Sequence, residues 1–263
     1  MVNGPRGELY LSRTAIVSVH ARIHCRLALA LAAGLIASPA AAQTVLDHER
    51  TLCANQDHAA ELQAQAKACT RVIQTSNQEA RYVASAYNNR GNAYREQRDY
   101  ARAIADYTEA VRLDLGYANA FNNRGIAYRA QRDFTRAFAD FNEAVRLDPQ
   151  VASHFLNRGS TFADQRDFVR AINDYNEAIR LDPRMARAFN NRGNTYRSQG
   201  DFDHAIADYS QAIAIDPHYA NAYNNRGIAY RAKGDTAHAI ADFNQANQLE
   251  PDNPDYAAFG LVH

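Results

Sequence analysis

The chain has 263 residues, 46% of them hydrophobic and 22% charged, with Lys+Arg 29 against Asp+Glu 29. This composition excludes a disordered chain, a collagen-like chain and a multi-span membrane protein, and zero net charge argues against a strongly basic nucleic-acid binder. Only 12 Gly and 3 Cys leave little material for phosphate-cradling loops and too few thiols for a cysteine-only zinc framework.

Residues 27–37 are an uncharged apolar run, preceded by Arg13, Arg22 and Arg26 and followed by Ala40, Ala41 and Ala42. A basic segment, a short apolar core and a small-residue site together predict a secretory signal peptide over residues 1–42. The run is shorter than the roughly 20 apolar residues that a membrane span needs, so no stable span is expected after cleavage. Removal of that segment takes away four Arg and one Glu, leaving 25 basic and 28 acidic residues. The expected location is periplasmic or secreted, in a bacterium.

Arg-Gly recurs at 90–91, 124–125, 158–159, 192–193 and 226–227, always 34 residues apart. Five units follow: 84–117, 118–151, 152–185, 186–219 and 220–253. Numbered 1 to 34 within a unit, position 4 is aromatic, position 8 is Gly, and position 11 is aromatic. Positions 20 and 27 are Ala in all five units, and position 24 is Tyr or Phe. The 4, 8, 11 spacing predicts one amphipathic helix and the 20, 24, 27, 28 spacing a second. Asp at position 16 suits an N-cap for the second helix. Asp-Pro at positions 31 and 32 suits the start of the next unit. Five helical glycines forgo about 5 kcal/mol against alanine, so a close helix approach, expected at the alanine of position 20, must offset them.

The series Gly, Tyr, Ala, aromatic, Pro on a 34-residue period resembles the tetratricopeptide repeat family. The resemblance covers residues 84–253 and implies an all-α fold, a right-handed superhelical solenoid of helix-turn-helix repeats. Two departures stand out: position 4 is Tyr or Phe rather than Trp, and position 7 is Arg rather than an aliphatic residue. A buried guanidinium needs a partner, and two sets of carboxylates recur in register. These are Asp106, Asp140, Asp174, Asp208 and Asp242 at position 23, and Asp114, Asp148, Asp182 and Asp216 at position 31. An internal Arg–Asp ladder is the favoured expectation, with an anionic ligand on the arginines as the alternative.

Residues 43–83 have helical pattern without the period and read as a degenerate helix pair capping the array, since a solenoid needs covered ends. Cys53 and Cys69 flank the turn expected near 55–60. An oxidising compartment and an even cysteine count after cleavage favour a disulfide between them. Residues 254–263 form a C-terminal tail.

The family resemblance implies a concave groove lined by the first helices. The candidate peptide-binding residues are Asn88, Asn122, Leu156, Asn190 and Asn224 at position 5, and Asn89, Asn123, Asn157, Asn191 and Asn225 at position 6. Asn92 and Asn194 at position 9, with Arg95, Arg129, Arg197 and Arg231 at position 12, complete the set. Amides both donate and accept, so a ladder of them suits an extended peptide backbone, and arginines suit its carboxylates. Hydrogen bonding between repeats is the alternative role for position 6. The third unit substitutes Leu156, Ser160, Ala163 and Asp164, which predicts a less polar spot in mid-groove.

No H-E-x-x-H, G-x-S-x-G, P-loop or G-x-G-x-x-G motif occurs, so no enzyme activity, cofactor or metal is expected. The leading expectation is an exported protein-interaction scaffold that holds a protein or peptide partner. The alternatives are single-stranded nucleic-acid binding through Arg and Tyr, which the acidic mature chain disfavours, and self-association through the array's ends.

Overall fold

The computed structural model describes residues 39–54, 61–75 and 79–253. Most of the expected leader (residues 1–38) and the tail 254–263 lie outside them. The chain divides into two units at His48/Glu49, and the whole array lies in the second. Of the first unit, residues 39–48 are described, and they are helical.

Twelve helices and no strand occur among the described residues. They are α1 (Pro39–Ala54), α2 (Leu62–Gln74), α3 (Ala80–Glu96), α4 (Tyr100–Leu113), α5 (Ala118–Ala130) and α6 (Phe134–Leu147). The series continues with α7 (Ala152–Asp164), α8 (Phe168–Leu181), α9 (Ala186–Ser198), α10 (Phe202–Ile215), α11 (Ala220–Ala232) and α12 (Thr236–Leu249). Helices α3 to α12 form five antiparallel pairs, one per 34-residue unit, stacked as an all-α solenoid.

Each second helix begins as its sequence predicts. The carboxylates of Asp99, Asp133, Asp167, Asp201 and Asp235 accept the backbone N–H three residues on, at 3.0–3.2 Å. Such a cap is worth about 1 kcal/mol. The residue before each cap is left-handed: Arg98, Arg132 and Arg166 have φ of 60°, 63° and 59°, while Gly200 and Gly234 have 81° and 84°.

The turn between units differs from expectation. Asp114, Asp148, Asp182 and Asp216 do not cap the following helix; each is the C-cap of the preceding one. Their side chains close an Asx turn by accepting the N–H of Gly116, Gln150, Arg184 and His218. The next helix therefore starts three residues later, with Tyr117, Val151, Met185 or Tyr219 as its N-cap and no side-chain cap bond. No Asp-Pro turn precedes the first unit, and α3 extends back to Ala80.

The position-8 glycines correct a second expectation. At Gly91, Gly125, Gly193 and Gly227 the nearest neighbour is the ring at position 24 rather than the alanine at position 20, although the Ala239 carbonyl also lies 3.2 Å from a Cβ on Gly227. At Gly159 it is Asp174 Cβ at 3.0 Å, with the Tyr175 ring at 3.1 Å. A Cβ on Gly91 would lie 2.7 Å from Tyr107 Cε1, on Gly125 2.8 Å from Phe141 Cε1, and on Gly193 2.8 Å from Tyr209 Cε1. Positions 9 and 24 also match one another. Tyr107 and Tyr209 hydroxyls donate to Asn92 and Asn194 Oδ1 at 2.8 Å, and Tyr175 to Ser160 Oγ at 3.3 Å. Where position 24 is Phe141 or Phe243, position 9 is Ile126 or Ile228. A buried hydroxyl always has its acceptor, and a bare ring has an aliphatic neighbour.

The position-7 arginines form the expected ladder, and position 23 supplies the partner. Arg90, Arg124, Arg158, Arg192 and Arg226 donate through Nε to Asp106, Asp140, Asp174, Asp208 and Asp242 at 2.8 Å. Their Nη2 atoms donate to the second oxygen at 2.7 or 2.8 Å. The remaining Nη1 crosses to the preceding helix, reaching Thr70, Thr108, Asn142, Asn176 and Ser210. Each guanidinium thus ties its own hairpin and staples it to its neighbour. Position 31 takes no part, because its carboxylates are engaged in the Asx turns.

At the leading end Cys53 and Cys69 are joined by a disulfide, with Cα atoms 4.6 Å apart. Gln65 Nε2 donates to the Cys53 carbonyl at 3.1 Å, and Arg71 pairs with Glu49 at 2.7 Å. Helix α2 packs against α3 and supplies Thr70 to the first arginine, so it covers the first repeat.

His154 departs from the repeat. Position 3 is alanine in the other four units (Ala86, Ala120, Ala188, Ala222), whereas His154 is fully buried. Its ring bridges the Asp148 carbonyl and Asn119 Oδ1 at 3.3 and 3.4 Å. Unit 2 ends in the small Val151 where units 1 and 4 end in Tyr117 and Tyr219, and the imidazole occupies the junction instead. Burial holds the His154 pKa below its ordinary value, outweighing the Asp148 and Ala144 carbonyls. A depressed histidine pKa stabilises the fold above the unfolded value of about 6.5, and that contribution is lost as pH falls through the folded pKa. Thermal denaturation should therefore show a loss between pH 7.5 and 5 that is larger in wild type than in His154→Ala. Equal slopes would refute it.

Candidate functional site

Helices α3, α5, α7, α9 and α11 each touch the next in the series, forming one continuous wall. The candidate residues lie on these helices, and the structure sorts them by depth. Asn88, Asn122 and Asn190 are buried, at 5%, 7% and 4% exposure, so position 5 is not the exposed position its polarity suggests. The reason is a side-chain ladder. Asn123 Nδ2 donates to Asn88 Oδ1, Asn157 to Asn122, and Asn225 to Asn190, each at 3.0 Å. Within units 1, 2 and 4, the position-5 amide nitrogen lies 3.4 Å from its neighbour's Oδ1 (Asn89, Asn123, Asn191). Position 5 therefore acts as a rung between repeats. Position 6 is half-buried and keeps donor and acceptor capacity towards the groove. Asn224, the last rung, has a buried Oδ1 with no partner among the described residues.

Asn92 and Asn194 are half-buried and already accept a tyrosine hydroxyl. Of the position-12 arginines, Arg95 pairs with Glu96 at 2.9 Å and Arg129 with Asp164 at 2.6 Å. Arg197 is half-buried, and Arg231 is exposed, its guanidinium 5.7 Å from the centre of the Phe243 ring.

The third repeat breaks the wall, though not as its sequence suggests. Leu156 is 4% exposed and packs in the core with Phe155 and Tyr175, so it offers no apolar surface to the groove. Without an amide there, Asn191 turns to Ser160 Oγ at 3.3 Å. Ala163 stands where other repeats carry an arginine, and Asp164 draws Arg129 across the junction. The result is a polar depression of about 210 Å³, bounded by Arg129, Ser160, Ala163, Asp164, Asn194 and Ser198. A shortened side chain opens it, and polar groups line it.

No group of three or more His, Cys, Asp or Glu among the described residues is placed to hold a metal ion. No described helix is long and apolar enough to cross a membrane.

Tetratricopeptide repeat models match residues 88–152, 162–196, 193–234 and 220–253. The chain belongs to the tetratricopeptide repeat family. Among solved tetratricopeptide repeat structures, MamA is 28% identical over 61% of this chain and 94% of its own, with a TM-score of 0.54. YrrB, described as a TPR protein with an unusual peptide-binding site, is 23% identical over 75% and 100%, with a TM-score of 0.54. PilF of Pseudomonas aeruginosa is 16% identical over 82% and 97%, with a TM-score of 0.67. These last two likenesses are of fold alone. A search of curated proteins finds no significant match. Membership supports a protein-interaction scaffold, and the tetratricopeptide period explains why the candidate polar residues share one wall.

Proposed function

We propose that this protein is an exported, non-catalytic tetratricopeptide scaffold whose inner wall holds an extended segment of a partner polypeptide. The observation that carries the reading is the polar depression at repeats 2 to 4. Its mouth combines a guanidinium, a carboxylate, an amide and hydroxyls within one concave site, which is the chemistry that pairs with peptide groups. The position-6 amides extend this surface on either side, while the rungs behind them hold it rigid before a ligand arrives. YrrB, a protein of the same fold described as binding peptide, is consistent with this use. Export rests on the basic-apolar-small pattern of residues 1–42.

A photo-crosslinking residue placed at Ala163, inside the depression, and separately at Thr135, exposed on α6, tests the reading in periplasmic extract. A partner peptide crosslinked from 163 and not from 135 is the expected result. Crosslinks from 135 alone would move the binding surface off the inner wall. Retention of the chain in the cytoplasm, with an intact first residue, would remove export.

A further inference from the structure

We propose that a second surface, the edge formed by the within-repeat turns of repeats 1 to 3, docks an acidic polypeptide segment. This surface does not depend on the groove reading. Backbone strain marks this edge. Position 15 of each unit is left-handed, and repeats 4 and 5 meet that demand with Gly200 and Gly234. Repeats 1 to 3 place Arg98, Arg132 and Arg166 there instead, all exposed, in a conformation that disfavours any residue with a Cβ. The same chain shows that glycine suffices for the turn, so the fold does not require these arginines.

The carboxylates nearest in sequence are already engaged. Asp99, Asp133 and Asp167 cap α4, α6 and α8 and pair with Arg102, Arg136 and Arg170. Glu96 pairs with Arg95, and Asp164 with Arg129. The row begins at a cleft of about 450 Å³ where α2 meets the first repeat, lined by Lys67, Arg71, Gln97 and Arg102, of which Arg71 pairs with Glu49 and Arg102 with Asp99. Lys67 is exposed at its rim. The positive character fades along the array: position 19 changes from Arg102, Arg136 and Arg170 to His204 and His238, and Lys233 is paired with Asp203. A graded basic edge that starts in a concavity steers a flexible acidic chain to one end of the array.

The aromatic rings on this edge favour polypeptide over nucleic acid. Arg102, Arg136 and Arg170 lie over Tyr94, Tyr128 and Phe162 at 4.3–4.5 Å, so the rings are covered and offer no platform for bases.

The test uses the full chain and fluorescein-labelled decaglutamate at low salt, with decaglutamine as the neutral control. Decaglutamate should bind in a salt-dependent way, and the triple variant Arg98→Gly/Arg132→Gly/Arg166→Gly should weaken it about tenfold. Its melting temperature should equal or exceed that of wild type, because glycine relieves the left-handed turns. Lys67→Glu, on an exposed helical position away from those turns, should weaken binding independently. Absent binding, or binding unchanged by both variants, overturns the proposal. Tighter binding of oligo-dT or of phosphatidylglycerol vesicles, lost in the triple variant, would transfer the edge to nucleic acid or membrane and also overturn it.

Discussion

Asp174→Ala should be among the most damaging single changes in the array, costing about 3 kcal/mol. The substitution strands Arg158, whose side chain is 20% exposed and whose Nε and Nη2 have no other acceptor among the described residues. An uncompensated buried charge costs about 3–5 kcal/mol, and the partial exposure of this guanidinium places it at the lower end. The converse follows from the same physics. Replacing both partners by leucine should leave stability within about 1 kcal/mol of wild type, since the family's usual aliphatic residue suits the position. Asn142, which loses Arg158 Nη1 in that double variant, is exposed and can bond to water. Urea denaturation of Asp174→Ala and of the Arg158→Leu/Asp174→Leu double variant measures this directly. A double variant as unstable as Asp174→Ala would show that the ion pair itself is indispensable. Asp140 illustrates the underlying cost: burial pushes its carboxyl above the usual range although Arg124 donates twice to it.

Gly125→Ala should destabilise the protein, by about 1 kcal/mol net, against the direction of helix propensity. Alanine in a helix normally gains about 1 kcal/mol over glycine. Here its Cβ would sit 2.8 Å from Phe141 Cε1 and 3.0 Å from Cδ1, against a fully buried ring. Overpacking of that kind typically costs about 1–3 kcal/mol. The neighbouring repeats supply an internal comparison. At Gly159 the nearest contacts are 3.0 and 3.1 Å, so Gly159→Ala should lose less than Gly91→Ala, where the ring stands at 2.7 Å. Thermal melts of the three variants rank them, and a uniform stabilisation would overturn the account. Phe141→Leu, which removes the ring edge, should recover part of the Gly125→Ala loss.

The sequence carried the fold because its repeated signals agree with one another. A 34-residue period, small residues at 8, 20 and 27 and caps at 16 all point to the same helix pairs. What it did not carry is which member of a pair touches which. Glycine at 8 and alanine at 20 are both small, and spacing alone does not reveal that the ring at 24 fills the gap. Asp at 31 resembles an N-cap because it precedes proline, but its carboxylate bends back into its own turn. The site was legible as a polar face and misread in depth. Asn88 and Asn122 look exposed because amides usually are, yet each rung is buried by its partner in the next repeat. The pairing of Asn with Tyr and Ile with Phe at positions 9 and 24 was visible in the sequence as an internal correlation, and would have marked Asn92 and Asn194 as engaged. Leu156 read as a groove-facing apolar residue because only its neighbours' polarity was available to judge it; its burial became evident once the core was seen.

The staple formed by each position-7 arginine has a consequence for how the chain finds its order. The same guanidinium reaches a hydroxyl or an amide at position 25 of whichever unit precedes it, so repeats 2, 4 and 5 present nearly interchangeable faces. Such uniformity invites misregistration, with one unit looped out or exchanged between two chains. The third repeat resists this. His154 fits only behind a small residue such as Val151 and opposite Asn119, and Ser160 must meet both Tyr175 and Asn191. Its irregularities thus serve as a bookmark, fixing which repeat lies where in an otherwise repetitive text.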